Sequence, residues 1–437
     1  LHAMKPPPFI GPAYKGRSEN YSSQRCINWY LEGGKGKTPG QLIGCPGLTA
    51  PWITPSGGGI RGMYKVSESL AIVVSGGNVY KVDTAQTATS IGSVPDDARP
   101  VTITGNGSDI MIASSGNLYA LTISGSSSSL VASNVGMVDF IDDHFIATKT
   151  DSGNYIWTNV NVTTFDPLNI QATNGAPDTM VGLKVARRTI YLFGTNSLEQ
   201  WYDSGGADNP FSRIDGAFFE IGCASKDSIA EMDSVFWLGS DDRGAGAVWT
   251  VAGGTPQRIS TPAIEYAIAR WPDMSDAEAF TYSQEGHSFY VLSSNSGNET
   301  WAYDISTGEW HQRAWLHPSG ELMRIRPRCH LYFSGKNLVG DWESANVYEY
   351  DLDTHDDDGN PMPAIRACVA LESGQEMQGA ISFQLDMDTG VGLNTGQGSD
   401  PQAMLRFSKD GGKTWSNSLW RSFGKIGEYA RRAIWRR

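Results

Sequence analysis

The feature of this sequence that most restricts its fold is a hairpin pattern that occurs seven times. Each copy has a short apolar run, a turn of Gly, Ser, Asn or Asp, and a second run that contains an aromatic residue. β-Branched and aromatic residues favour strands, and Gly, Asn and Asp supply the turn positions with positive φ. The seven copies begin at Leu70, Ile110, Phe145, Ile190, Val235, Phe289 and Leu331.

The spacing of these hairpins predicts a β-propeller. Most successive copies start 40 to 45 residues apart, and a propeller blade of four strands takes about 40–50 residues. A lone hairpin cannot bury its faces, whereas radial closure buries them and removes exposed sheet edges. We therefore predict an all-β propeller of six or seven blades over residues 59–350. A sandwich of unrelated hairpins is the alternative that the pattern leaves open.

The segments around the propeller have other patterns. Residues 4–58 are predicted to form an N-terminal arm and first strands, of which some complete the last blade. Residues 351–363 read as an acidic linker. Residues 364–437 alternate like strands with glycine-rich turns, which predicts a small β-sandwich. Because the sequence stops inside an apparent strand, we expect this domain to be incomplete. Residues 263–271 predict one short helix between blades.

The charge is unevenly distributed along the chain. The net charge is −13, yet residues 401–437 contain nine Lys or Arg and two Asp or Glu, so the first 400 residues carry −20. An acidic body binds nucleic acid poorly, because phosphate contacts need cations. The basic C-terminal segment either docks on an acidic protein surface or forms a solvated face. No run approaches the ~18 apolar residues of a membrane helix, so we expect no membrane insertion.

The sequence contains no clear metal site. Five scattered cysteines form no CxxC pair, so reduced buried thiols are expected. Acidic residues cluster within 351–358, and these residues predict either a solvated linker or a loose Ca²⁺ site. An EF-hand alignment on Gly359 places Thr354 and Ile365 at the key ligand positions, which excludes an EF-hand. The clustered carboxylates are Asp351, Asp353, Asp356, Asp357 and Asp358.

The stretch "SKDGGKTW" matches the Asp-box pattern S-x-D-x-G-x-x-W and not a phosphate loop. The Gly412-Lys-Thr ending lacks the first glycine of a P-loop, since Phe407 stands there. In an Asp-box, Asp410 accepts turn N–H bonds, glycines take open φ values, and Trp415 packs beneath. A single copy outside the propeller repeats predicts a structural turn.

Catalytic patterns are weak throughout the chain. A sialidase needs three converging arginines, a tyrosine nucleophile and a glutamate; Arg187, Arg188, Arg213 and Arg243 are present, but the sequence does not show that they converge. The seven histidines form no HxxxH or HExxH pair, and no GxSxG motif occurs. We predict no catalytic, cofactor-binding or metal-ligating residues and a non-enzymatic protein. A sialidase-like or glycan-binding propeller is the alternative function.

Several stretches together resemble one protein family. They are "RCINWYLEGG", "LIGCPGLTA", "GIRGMYKVSESLAIVVSGGNVYKV", "GTNSLEQWYDSGGADNPFSRIDG", "GCASKDSIAEMDSVFWLGSD" and the C-terminal "MLRFSKDGGKTWS" and "GKIGEYARRAIWRR". In this order they resemble the packaged-DNA stabilisation proteins of short-tailed bacteriophages (podoviruses), over nearly the whole chain.

The resemblance implies a structural tail hub, or nozzle, found in the virion tail and assembled in the cytoplasm of the bacterial host. It implies a hexameric ring below the portal and its adaptor (head-to-tail connector) protein. This head-completion ring would plug and stabilise the packaged DNA, touch the genome transiently, and carry the tailspike and tail needle proteins. The family has no catalytic residues or cofactor that could be transferred to this sequence.

Overall fold

The computed structural model describes residues 7–17, 23–34, 40–150, 152–173, 175, 177–206, 209–240, 246–371 and 379–436. The chain divides into two compact units. One comprises residues 26–366, and the other combines residues 1–25 with residues 367–437. The larger unit is a seven-bladed β-propeller, which confirms the predicted fold class.

Blades 1 to 5 are antiparallel sheets of four strands that follow one another in the chain. Blade 1 has Ile60–Ser67, Leu70–Ser75, Asn78–Asp83 and Ala88–Ser93; blade 2 has Thr102–Gly105, Asp109–Ser114, Asn117–Thr122 and Ser128–Ser133; blade 3 has Val135–Ile141, His144–Lys149, Asn154–Thr158 and Phe165–Ala172; blade 4 has Met180–Ala186, Thr189–Gly194, Leu198–Asp203 and Phe211–Phe219; blade 5 has Ala230–Glu231, Val235–Ser240, Gly246–Ala252 and Thr255–Arg258.

Blades 6 and 7 include strands from both ends of this unit. Blade 6 has Ala277–Gln284, His287–Ser294, Glu299–Asp304 and Glu309–Arg313, extended by Cys26–Ile27 and Ile365–Arg366; blade 7 has Pro327–Phe333, Lys336–Asp341 and Val347–Asp351, then Gly47–Leu48, Asp356–Asp357 and Asn360–Pro361. Residues 26–58 and 351–366 thus belong to the compact propeller unit. Two further hairpins pair Trp29–Gly33 with Gly40–Gly44, and Trp315–Leu316 with Leu322–Met323.

The strand Gly47–Leu48 closes the ring. The sequence predicts such a closure, in which N-terminal strands complete the last blade. It pairs antiparallel with the third strand of blade 7 and parallel with Asp356–Asp357. A Cβ at Gly47 would lie 2.4 Å from the carbonyl oxygens of Thr354 and Asp356. Only glycine therefore fits between the two neighbouring strands at this position.

The first strand of each blade lines the centre of the ring and contacts the first strands of both neighbouring blades. The first six hairpins of the sequence pattern form the second and third strands of blades 1 to 6. The seventh, from Leu331, is shifted by one strand, because its first run lies in the first strand of blade 7. The pattern therefore identified every blade, with a different register in the last.

The propeller core lies between the facing sheets of neighbouring blades. Ile72 and Val74 of blade 1 pack with Ile110 and Ile112 of blade 2, and all four are fully buried. The helix Pro262–Ile268 lies between blades 5 and 6, as predicted. Proline at its first position and a threonine cap before it set where the helix begins. A 3₁₀ turn, Lys226–Ser228, precedes blade 5.

The second unit contains two short hairpin-like pairs that form a small β-sandwich, as predicted. Ser382–Leu385 pairs with Ala433–Arg436, and Gln402–Leu405 pairs with Leu419–Ser422. Its buried core consists of Phe423, Ala433 and Trp435, packed by Phe383, Leu385, Ala403 and Leu405. The unit also contains the strand pair Tyr14–Lys15 with Ser23–Gln24 and the 3₁₀ turn Gln397–Ser399.

Candidate functional surfaces

One mouth of the propeller channel is crossed by a loop, residues 95–99, that joins blades 1 and 2; we call it the channel loop. Its Arg99 donates from Nη2 to Oδ2 of Asp227, just before blade 5, at 3.2 Å. The carbonyl of Ala98 accepts from Nη1 of Arg328, in blade 7, at 2.9 Å. The loop therefore bonds to the adjacent blade 7 and, across the ring, to the segment that precedes blade 5.

Arg61 anchors the channel loop to blade 1 and is 1% exposed. Its guanidinium donates to the carbonyl oxygens of Arg99 at 2.7 Å and Pro95 at 2.8 Å, and to Oγ of Ser114 at 2.9 Å. It also pairs with the carboxylate of Asp97. The rigid fork of arginine can hold several loop carbonyls at once, which a lysine cannot do.

Glu278 in the first strand of blade 6 is the buried acidic centre of the same mouth. Arg328 donates to both of its carboxylate oxygens at 2.9 Å, and Asn295 donates at 2.8 Å. Arg324 lies 3.4 Å away and stacks on Trp342 with its guanidinium carbon 4.6 Å from the ring centroid. Burial alone would raise the pKa of Glu278, but Arg328 and Arg324 hold this pKa below its usual value.

These groups lie at the beginnings of the first strands, or just before them, so they share one end of the channel. Arg61, Arg99, Arg324 and Arg328 each contact a carboxylate of the protein itself. Because these carboxylates are already in contact with the arginines, an anionic ligand would have to displace them. The network therefore links the channel loop to blades 1 and 7 and to the segment before blade 5, and it braces blade 6 against blade 7.

The arginines considered for sialidase chemistry are placed differently. Arg187 and Arg188 lie at the exposed turn of the first hairpin of blade 4 and pair with nearby carboxylates at 3.6 and 2.8 Å. Arg213 lies on the outermost strand of that blade. Arg243, like His2, lies outside the described residues. The arginines that do converge, at the channel mouth, gave no sequence signal because they come from distant segments.

The described histidines that carry notable contacts are packing residues. Burial lowers the pKa of His311 to about 3, so the ring is neutral at physiological pH. His287 contacts Asp304 at 2.7 Å, and both side chains are buried within blade 6. His317 packs edge-on against Trp315 at 5.5 Å between centroids. These three rings therefore make their contacts within the propeller unit.

The acidic segment 351–358 lies at the outer edge of blade 7. Asp351 ends the third strand, and Asp356–Asp357 forms the strand that lies beside Gly47–Leu48. Among the described residues, no group of three or more His, Cys, Asp or Glu side chains is placed to hold a metal ion. The carboxylates instead accept local turn bonds, such as Thr354 Oγ1 to Asp351 at 2.7 Å.

Asp357 of this segment has a strongly perturbed pKa. Burial raises its pKa to about 7, although the nearby charge of Arg313 lowers it. Asp357, Arg313 and Tyr350 line a cavity of about 10 Å³, where Arg313 Nε and Tyr350 Oη have no partner among the described residues. That volume is close to the space one water molecule needs.

The Asp-box forms the turn of the hairpin in the second unit. Asp410 accepts from the backbone N–H of Thr414 at 2.9 Å, and Ser408 Oγ accepts from the N–H of Gly412 at 2.8 Å. Hydrogen bonds from Thr414 lower the pKa of Asp410 to about 2. The expected packing of Trp415 beneath the turn is wrong: Trp415 is 46% exposed. The two-stranded hairpin has too little structure beneath it to cover an indole ring.

Residues 402–422, which we call the basic–aromatic hairpin, expose other large side chains. Met404 and Trp420 lie directly opposite each other across the strands and are 46% and 54% exposed. The guanidinium of Arg406 lies 5.8 Å from the Trp415 ring centroid. The hairpin contains four Lys or Arg and one Asp, so apolar surface and positive charge occur together.

The two units differ in sign of charge. Residues 26–366 contain 21 Lys or Arg and 39 Asp or Glu, a net charge of −18, whereas residues 1–25 and 367–437 together carry +5. The five cysteines are all free thiols, and burial raises the pKa of Cys45 and Cys223 to about 12. In the part of the chain that the structure describes, no helix has the length and apolarity that a membrane span needs.

The closed seven-bladed propeller and the small β-sandwich of the second unit define a two-domain, all-β protein. The particular family follows from sequence comparison. A family model described as bacteriophage P22 Gp10, beta-propeller, matches residues 9–355, and a second, described as bacteriophage P22 Gp10, beta-sandwich, matches residues 369–437. The chain belongs to the bacteriophage P22 Gp10 family, and it is a phage structural protein that stabilises packaged DNA. The suspected resemblance is confirmed.

Comparison with solved structures finds other propellers at low identity. The WD40 propeller domain of Doa1 aligns at 11% identity and TM-score 0.43, over 69% of this chain and 95% of that one. The Neurospora crassa Pan2 WD40 domain aligns at 10% and 0.43, over 67% and 89%. The N-terminal domain of Nup159 aligns at 11% and 0.43, over 78% and 98%. Comparison with curated protein sequences finds no significant match.

Proposed function

We propose that this chain is the hub, or nozzle, of a short phage tail. Six copies would form a ring below the portal and its adaptor protein, close the DNA exit, and carry the tailspikes and the tail needle. The observation that carries the proposal is the match of residues 9–355 and residues 369–437, in order, to the two domains of one phage structural family. The protein would assemble in the host cytoplasm and act in the virion tail.

The DNA path would run between copies of the chain. The channel loop and its arginine–carboxylate network occupy one mouth of each propeller. With a net charge of −18 on the propeller, a lumen lined by these units would repel phosphate. DNA binds a protein tightly when Lys and Arg neutralise its phosphates and release counterions. An acidic wall would not bind the genome in this way, so the DNA could slide during ejection.

The glycan-processing alternative has no specific support. The arginines selected for it pair with local carboxylates or lie on an outer strand, and the converging arginines contact protein carboxylates. A structural role does not require that either set of arginines be available to bind a ligand.

The proposal is tested with DNA-filled phage heads that lack this protein. Purified chain is added to heads carrying the portal and adaptor, and nuclease-resistant DNA is measured. We expect the chain to bind and to protect the DNA, and electron microscopy should show a ring below the adaptor. Absence of binding, together with turnover of a fluorogenic sialoside, would replace the hub with the glycan alternative. A lumen lined by Lys and Arg would contradict the proposed DNA path.

A further inference from the structure

The basic–aromatic hairpin has exposed apolar residues that its own unit does not use. The core of that unit is complete with Phe423, Ala433 and Trp435 on the other side of the sheet. Met404 and Trp420 form an exposed cross-strand pair outside that core. Large exposed aromatic and methionine side chains with adjacent arginine are enriched where proteins meet other proteins.

The charge of this hairpin selects the kind of partner. With four Lys or Arg and one Asp, the hairpin is complementary to an acidic protein surface. The acidic segment 351–358 has the densest run of carboxylates in the sequence, five in eight residues, without a Lys or Arg. Among the described residues, none of its carboxylates forms a salt bridge with a Lys or Arg within 4 Å.

The edge strand beside the acidic segment favours contact through side chains. Asn360–Pro361 is the outermost strand of blade 7. Proline offers no backbone N–H, so an incoming strand cannot extend the sheet regularly at this edge. Pro361 is exposed there and supplies apolar surface beside the carboxylates. A partner with both cations and aromatic rings fits this combination.

We propose that the basic–aromatic hairpin of one copy docks on the acidic segment 351–358 of a neighbouring copy. Two different surfaces meet in such a contact, so it is head-to-tail, and a head-to-tail contact generates a ring when its rotation closes. The inference rests on the proposed function in one respect only, namely that copies of the chain assemble with each other.

The test begins with charge reversal in the full chain and sedimentation velocity at low salt. The hairpin variant carries Arg406→Glu and Lys409→Glu, and the edge variant carries Asp353→Lys and Asp358→Lys. Each alone is expected to weaken self-association at least about 100-fold, because like charges then face each other. Circular dichroism and thermal melting confirm that each variant is folded. A wild-type chain that does not self-associate overturns the inference.

The deciding measurement mixes the two variants in equal amounts. In the mixture, the native hairpin of the edge variant can meet the native acidic segment of the hairpin variant, and the two reversed surfaces can also meet. Assemblies in which the two variants alternate are therefore expected to form. If the hairpin binds the acidic segment of its own chain, mixing restores nothing, and the inference is overturned. Arg187→Glu with Arg188→Glu is the matched control, since it makes the same charge change on an exposed turn of blade 4 and should leave association unchanged.

A nucleic-acid partner is the competing reading of a basic, aromatic surface. Titration with labelled double-stranded DNA distinguishes it: DNA binding that the hairpin variant loses, with self-association intact, overturns the inference. The outcome is also separate from the hub proposal. Heads that retain DNA with wild-type chain support the hub even if the contact between copies uses other surfaces.

Discussion

The two units handle large side chains in opposite ways. In the propeller, Trp237, Trp310 and Tyr155 are among the largest fully buried side chains, whereas in the sandwich unit Trp420 and Tyr429 are 54% and 71% exposed. The propeller carries −18 and the other unit +5. In the propeller, most large apolar side chains are buried between blades, and the buried arginines of the channel network contact carboxylates of the same unit. The smaller unit leaves apolar and basic surface for contacts outside itself.

The largest expected effect on this contrast comes from Glu278→Ala. Removal of the carboxylate leaves Arg324 and Arg328 buried and unpaired, which costs about 3–5 kcal/mol of unfolding free energy. Calorimetry should show a lower melting temperature for the propeller, with the transition of the smaller unit unchanged. Glu278→Gln also removes the charge, but its amide oxygen still accepts a bond from Arg328, so it should lose less stability than Glu278→Ala. A Glu278→Ala variant as stable as wild type would contradict the bracing role.

The second prediction compares two tryptophans of the smaller unit. Trp435 is 5% exposed and its Nε1 donates to the Leu419 carbonyl at 2.7 Å. Trp435→Ala should cost about 3 kcal/mol and unfold this unit while the propeller stays folded. Trp420→Ala should change the unfolding free energy by less than about 0.5 kcal/mol. Both are measured by urea unfolding with separate probes; a large loss with Trp420→Ala would place that ring in the core.

The smallest predicted change in stability concerns the pH dependence contributed by Asp357, which lies beside the closing strand Gly47–Leu48. The folded-state pKa of Asp357, about 7, lies above its ordinary value of 3.8. The folded protein therefore binds this proton more tightly, and the contribution of Asp357 to stability falls as pH rises from about 4 to about 7. The side chain of Asp357→Asn does not ionise, so its stability does not fall in this way. The free energy of unfolding of the variant, relative to wild type, should therefore rise by roughly 1–2 kcal/mol across that pH range.

That difference is measured by urea unfolding at several pH values. Asp353→Asn, on the exposed part of the same segment, serves as control and should run parallel to wild type. A pH-independent difference between Asp357→Asn and wild type would show that the carboxylate is not protonated at neutral pH in the folded ring.

The blades could be predicted from sequence because their signals are local. Alternation of apolar residues and tight turns is complete within each hairpin, and the capped helix beginning at Pro262 has its own start signal. The closing strand Gly47–Leu48 could not be located, since two residues carry no period. The seventh hairpin begins one strand earlier in its blade than the other six, because the first strand of blade 7 has the apolar composition of a second strand.

The channel network was missed for a different reason. Arg61, Arg99 and Arg328 are isolated in the sequence and converge only when the ring closes, so no spacing connects them. The Asp-box bonds of Asp410 were predicted correctly because they span a few residues. The burial of Trp415 was not, since burial depends on how much structure lies beneath the turn.

The position of Gly47–Leu48 also affects how the protein is made. Beside this strand, the backbone N–H of Glu349 lies within hydrogen-bond reach of Thr49, a residue 300 positions earlier in the chain. During synthesis Gly47–Leu48 must wait for its partners until nearly the whole propeller has left the ribosome. Until then Gly47–Leu48 has no partner strand, and a chain that stops before blade 7 cannot close the ring. Ring closure therefore depends on synthesis of the whole propeller, because the two halves of the closing contact lie at opposite ends of it.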